Sequence, residues 1–190
     1  MRYSESFGKN ECAFDARAEL PWLSKRFIVA SLHMRTTFSF PTKTKHQRIS
    51  GNLATAMITV SKQHKLGLVL TAPCDVVLSD ENVVQPDLLF VATARAAIVT
   101  EDNIQGAPDL IVEILSESSR KKDEVTKRKL YERFGVQEYW IVDPELEIVK
   151  IFKLTQQGYG RASELSKETN DVLTTELLPG FDCAVSEIFE

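Results

Sequence analysis

The sequence predicts a single α/β (α+β) domain, and three observations carry that prediction. Ile49, Leu53, Met57 and Val60 recur at helical spacing across residues 45–65, the stripe of an amphipathic helix. Residues 110–115 form an apolar run broken only by Glu113, the pattern of a strand buried on both faces. Helical and strand patterns then succeed one another in the order helix, strand, strand, strand, helix, strand, strand. With 190 residues, 43% hydrophobic and 26% charged, the chain has the size and composition of one soluble domain with its own core.

Residues 1–40 form an N-terminal segment of scattered charge, with a short strand expected at 27–30, and the organised domain is expected over 41–190. After the first helix, Gly67 reads as its stop signal. Residues 66–78 read as a strand interrupted by Pro73, joined through the polar turn Ser79-Asp80-Glu81-Asn82 to a strand at 83–91 as a hairpin. A short helix is expected near 93–98, then the central strand at 109–115. Ser118 or Ser119 can cap a helix that ends at Gly135. Residues 138–142, rich in aromatic and β-branched residues, form another strand. Residues 148–154 alternate apolar and charged residues like an exposed edge or flanking strand. The tail turns at Leu178-Pro179-Gly180 before a last short apolar segment.

The chemistry gathers around one misplaced charge. Burying an ionised carboxylate without partners is so costly that Glu113 must pair, bind a cation or shift its pKa. A structural ion pair is the alternative reading. A second acid, Asp87, precedes the apolar run 88–91. If the two strands pair antiparallel in the register whose paired numbers sum to 200, Asp87 stands opposite Glu113, with Cβ atoms roughly 5 Å apart. Two carboxylates at that spacing can share one cation. Asp109 lies on the same face as Glu113 but about 13 Å along the strand, so it is the second candidate; its alternative role is a turn or strand-start residue. On the following helix, Asp123, Lys127, Leu130, Tyr131 and Phe134 fall within an arc of about 100°, while Lys121, Lys122, Arg128, Lys129 and Arg133 fall opposite. Lys127 is therefore the lysine that points inward. It either reaches the carboxylates or pairs with Asp123 one turn away.

Two acids and an inward lysine suit metal-dependent phosphodiester hydrolysis, in which hard oxygen ligands hold Mg²⁺ or Mn²⁺ and the lysine stabilises developing charge. Paired acids also serve glycosidases, but aromatic content of 8% offers few sugar platforms. P-loop, GxGxxG, GxSxG and HExxH motifs are absent from the sequence, which removes the residues that nucleotide binding, hydride transfer, serine esterase and zinc peptidase chemistry require. His33, His46 and His64 show no ligand spacing and read as surface or structural. Cys12, Cys74 and Cys183 are distant and odd in number, as reduced cytosolic thiols would be. No signal peptide or membrane span is evident, so the expectation is a cytoplasmic protein. The net charge of −4 argues against coating nucleic acid by electrostatics alone.

Several stretches together resemble a known family. Val84-Gln85-Pro86-Asp87, Gly106-Ala107-Pro108-Asp109 running on through Glu113 to Ser116, Lys127 to Tyr131, and Gly135-Val136-Gln137-Glu138-Tyr139-Trp140 through Asp143-Pro144 resemble the Uma family of restriction-endonuclease-like proteins. Lys45-His46-Gln47 and Leu178-Pro179-Gly180-Phe181 fit its pattern too, and the resemblance covers about residues 43–189. It implies a PD-(D/E)xK nuclease fold with a central mixed sheet flanked by helices, Asp87 and Glu113 as metal acids, DNA as substrate and a homodimer. Leu115 stands where the plain (D/E)xK motif has its lysine, and in the family the lysine has moved to the helix position held here by Lys127. Ile28 stands where relatives carry a further glutamate. That departure keeps open a second expectation, a non-catalytic module of the same fold that binds DNA or a protein partner.

Overall fold

The computed structural model describes residues 44–116, 120 and 122–190, all within one compact unit, Ser39–Glu190. The expectations for residues 1–40, including the strand at 27–30 and Ile28, lie outside the described residues, as do Ser118 and Ser119.

Helix α1, Thr44–His64, buries Ile49, Leu53 and Met57 on one stripe. It ends without a glycine cap: Lys65 takes the left-handed conformation with φ 55°. Gly67 belongs instead to strand β1, Gly67–Thr71, where a Cβ would lie 2.1 Å from the Val91 carbonyl oxygen. Its role is close approach of two strands rather than helix termination. The expected hairpin exists but is split. Past Pro73 the chain forms β2, Val76–Ser79, and β3, Asn82–Val84, which pair with each other, while β1 pairs antiparallel with β4, Leu88–Ala92. Strand β5, Ile104–Gln105, joins β2 in the small sheet after a 3₁₀ turn at Thr93–Ile98.

The central strand β6, Leu110–Ile114, is buried along its whole length. Beyond it, Lys122–Lys127 forms a π-helical turn that leads into α2, Arg128–Phe134, closed by Gly135 at φ 81°. Strand β7, Glu138–Asp143, lies parallel to β6, and β8, Ile148–Thr155, antiparallel to β7. With β9, Gly158–Tyr159, and β10, Ser163–Ser166, the main sheet has seven strands in the path β1-β4-β6-β7-β8-β10, with β9 paired to β8. One parallel pair among antiparallel ones makes it mixed, as expected. Of the two readings for residues 148–154, the flanking strand holds and the edge does not: β8 lies between β7 and β10. Its lysines pair with acids, Lys150 with Glu124 and the exposed Lys153 with Glu138. The tail forms β11, Val172–Thr174, β12, Asp182–Ala184, and the short α3, Val185–Ile188.

Two apolar layers hold the sheet. Alternate residues Leu88, Phe90, Leu110, Val112 and Ile114 pack with α1 and the tail, and Leu89, Val91, Ile111 and Leu115 pack with Tyr131 and Tyr139. Period-two alternation therefore sends each even-numbered residue of β6 to the α1 side and each odd-numbered one, Glu113 included, to the α2 side.

Candidate functional site

The antiparallel pairing of β4 with β6 sets Leu88 opposite Val112, Leu89 opposite Ile111 and Phe90 opposite Leu110. This is the register expected from the sequence, and its continuation by one residue faces Asp87 with Glu113. Asp87 Oδ2 accepts the backbone N–H of Ile114 at 2.7 Å, which fixes the carboxylate beside Glu113. Its other oxygen, Oδ1, lies 3.4 Å from His46 Nε2. The histidine comes from α1, three residues before the core residue Ile49, and so hangs from the margin of the buried stripe. Its hydrogen bond to Asp87 comes first among the influences that raise its pKa, and outweighs burial.

Glu113 is 3% exposed. Both oxygens are engaged: Oε1 accepts the Tyr131 O–H at 2.7 Å, and Oε2 lies 2.8 Å from Lys127 Nζ. Lys127 also reaches Asp123 Oδ1 at 2.9 Å. The two roles weighed for Lys127, carboxylate partner and i,i+4 partner of Asp123, therefore occur together. The π-turn is wider than an α-turn, closing i→i+5, yet Asp123 and Lys127 remain neighbours and Tyr131 comes one α-turn later. Arg128, expected on the solvent side, lies over the Phe152 ring at 5.3 Å.

The site carries more negative than positive charge. The Glu113 carboxyl stands at about 7: burial pushes it up most, the Lys127 ammonium pulls it down, and Asp87 and Asp123 push it up. Burial works against the Lys127 ammonium, but Glu113 and Asp123 outweigh it and hold its pKa above the ordinary value. Burial and Glu113 together keep the Tyr131 hydroxyl protonated.

Asp109 stands apart from this cluster. Its carboxylate accepts the Ala92 N–H at 2.8 Å, Arg95 at 3.0 Å and Gln137 Nε2 at 2.6 Å. These bonds tie the ends of β4 and β6 to the turn before β7, and leave Asp109 engaged with the scaffold. At the other end of the sheet Arg120 grips the fully buried Asp143 through both nitrogens. Burial alone would raise the Asp143 pKa, but Arg120 and two backbone N–H groups hold it low.

Sequence reasoning misses three members of the cluster. In sequence His46 reads as surface or structural, Tyr131 as core and Asp123 as an incidental partner. Helical spacing carries signals for two of them, since Tyr131 is four residues from Lys127 and His46 three from Ile49.

Among the described residues no group of three or more histidine, cysteine or acidic residues is arranged to hold a metal ion. A cation at Asp87 and Glu113 would rest on two carboxylates, and that suits Mg²⁺, which keeps several waters and substrate oxygens in its shell. The donor chemistry fits: both ligands are hard oxygens, and the repulsion that raises Glu113 is what a bound cation would relieve.

Comparisons with known proteins give a family match and likenesses of fold. The profile of the Uma2 family, described as "Putative restriction endonuclease", matches residues 37–186. A solved structure from Anabaena variabilis, described as "a putative nuclease belonging to DUF820", matches with a TM-score of 0.65 and 17% sequence identity, over 77% of this chain and 81% of that one. The type IIG restriction endonuclease BpuSI matches with a TM-score of 0.40 and 16% identity, over 76% of this chain and 15% of that one. No curated protein matches. The Anabaena likeness speaks to the fold, and with the family match it makes the mixed sheet and its helices restriction-endonuclease-like.

Proposed function

The chain belongs to the Uma2 family, and from that membership we propose that it is a Mg²⁺- or Mn²⁺-dependent endonuclease hydrolysing DNA phosphodiester bonds. The observation that supports this best is the meeting of Asp87, Glu113 and Lys127 at one end of the β4–β6 pair, with Lys127 2.8 Å from Glu113.

Asp87 and Glu113 would hold the cation, which when bound neutralises phosphate charge and acidifies water. The rest is work for the chain's own groups. Ile114 N–H and His46 aim the Asp87 carboxylate, and Tyr131 fixes Glu113 through its O–H. Lys127, held between Glu113 and Asp123, keeps an ammonium where charge develops on the phosphate. Glu113 must lose its proton to act as a ligand, so activity rises with pH through about 7. Cutting both strands of a duplex calls for two such sites, and the proposal includes a homodimer. Among the described cysteines Cys74 and Cys183 are free, in keeping with a reduced, cytoplasmic setting. No helix among the described residues is long and apolar enough to cross a membrane. The organised domain of this enzyme is taken as residues 41–190.

One observation favours a second reading. All four oxygens of Asp87 and Glu113 already have partners within the chain, as in a fold-holding network without metal. That reading makes the chain a nuclease-fold module that binds DNA or a protein partner without cutting. Plasmid cleavage separates the two. The enzyme reading expects nicking that needs Mg²⁺ or Mn²⁺ and disappears in Glu113→Gln; intact plasmid with the native chain in both metals returns the module reading.

A further inference from the structure

Beside Asp87 the surface opens into a groove of about 470 Å³ between the first turns of α1, the loop after β1 and the segment before β4. His46 and Asp87 are among its lining residues, as are Ser50, Gly51, Pro73 and Gln85. Its volume lies in the range of small-ligand sites, roughly 300–1,000 Å³. Among its described lining residues there is no lysine or arginine, so it is not built to cradle phosphate. Side-chain amides and hydroxyls set against small apolar groups suit an uncharged, flat, hydrogen-bonding ligand. Gln85 is fixed by a 2.6 Å hydrogen bond from its Nε2 to Asp75 Oδ1, so one amide of the wall is held in a set orientation. An amide is the side-chain group that reads a base edge with paired hydrogen bonds.

A second observation concerns Gly51. It lies inside α1, away from either end, and its φ is not left-handed. A Cβ added there would meet nothing within 4 Å. Neither backbone geometry nor crowding requires glycine, which weakens a helix interior by roughly 0.5–1 kcal/mol relative to alanine. What its absent side chain does provide is the open wall of the groove.

We propose that this groove is a base-reading subsite, which takes one unpaired nucleobase of the DNA strand whose phosphate lies at Asp87 and Glu113. The assignment rests on the nuclease reading for the strand's placement and adds to it a specificity element outside the acid and lysine cluster. The base would present its edge to the Gln85 amide, and its 5′ or 3′ phosphate would emerge beside Asp87.

The test is binding in Ca²⁺ buffer, measured by fluorescence anisotropy, of a labelled single-stranded oligonucleotide and of the same strand with one abasic position. Native protein is expected to bind the intact strand about tenfold more tightly. Gly51→Leu, which fills the groove, should erase that preference while its thermal midpoint stays at or above the native one. Equal affinity of native protein for both strands overturns the proposal, as does a preference that survives in well-folded Gly51→Leu. Plasmid nicking run alongside keeps the two ideas apart. Nicking without base preference removes the groove alone, and base preference without nicking upholds the groove and removes the nuclease.

Discussion

Glu113→Gln tests the electrostatics of the site without asking for activity. Burial raises the Glu113 carboxyl from its ordinary 4.5 to about 7, so the folded chain holds that proton more tightly than the unfolded chain. The sign comes from linkage: the stabilisation is fully present below about 4.5 and is lost as pH rises through about 7. At about 1.4 kcal/mol per pH unit, that interval corresponds to about 3 kcal/mol, a large share of a stability of 5–15 kcal/mol. Glutamine does not titrate, so the variant lacks this slope. His46, whose pKa is also raised, contributes a loss of the same sign in both proteins, and subtracting the curves removes all but the small part that Glu113 itself contributes. The assay is urea unfolding of both proteins, without metal, at intervals from about pH 4.5 to about 8. Native stability minus variant stability should fall by roughly 2–3 kcal/mol across that window. A flat difference would mean that Glu113 is ionised throughout in its pairing with Lys127, and would refute the argument that burial dominates its pKa.

Other outcomes rest on the same geometry. Lys127→Met leaves Glu113 and Asp123 buried without their cation and should cost about 3–5 kcal/mol at neutral pH, less in acid, as read by urea unfolding. His46→Ala frees one oxygen of Asp87 and should weaken Mn²⁺ binding by about tenfold or more while the fold stays intact, measured by calorimetry beside circular dichroism. Asp109→Asn loses part of the network to Arg95, Ala92 and Gln137 and should cost about 1–3 kcal/mol of stability with plasmid nicking per folded molecule unchanged.

Much of the central sheet was legible because burial on both faces leaves a plain mark: residues 110–115 could hardly be anything but an inner strand, and the antiparallel register with residues 88–90 emerged once the two acids were asked to meet. Lys127 was legible because helical angle set it apart from its neighbours, even though the π-turn alters the angle the argument assumed. Strand β10 was not legible. Its Ser163-Glu164-Leu165-Ser166 carries almost no apolar signal, so β8 looked like the border of the sheet when it is covered on both sides. His46 was illegible as a site residue for a different reason: its partner is 41 residues away in sequence, and only the packing of α1 across the sheet brings Nε2 to Asp87. Gly67 misled because glycine after a helix usually caps it, whereas here the carbonyl of Val91 demands the missing side chain.

The central claim is that Asp87 and Glu113 form one cation site, and calorimetric titration of Mn²⁺ into the native chain, Asp87→Asn and Glu113→Gln above pH 7 tests it most directly. The account predicts binding at a single site in the native chain and none in either variant. Absence of binding by the native chain at millimolar Mn²⁺, or binding that both variants retain, would contradict it and leave the two acids as part of the scaffold.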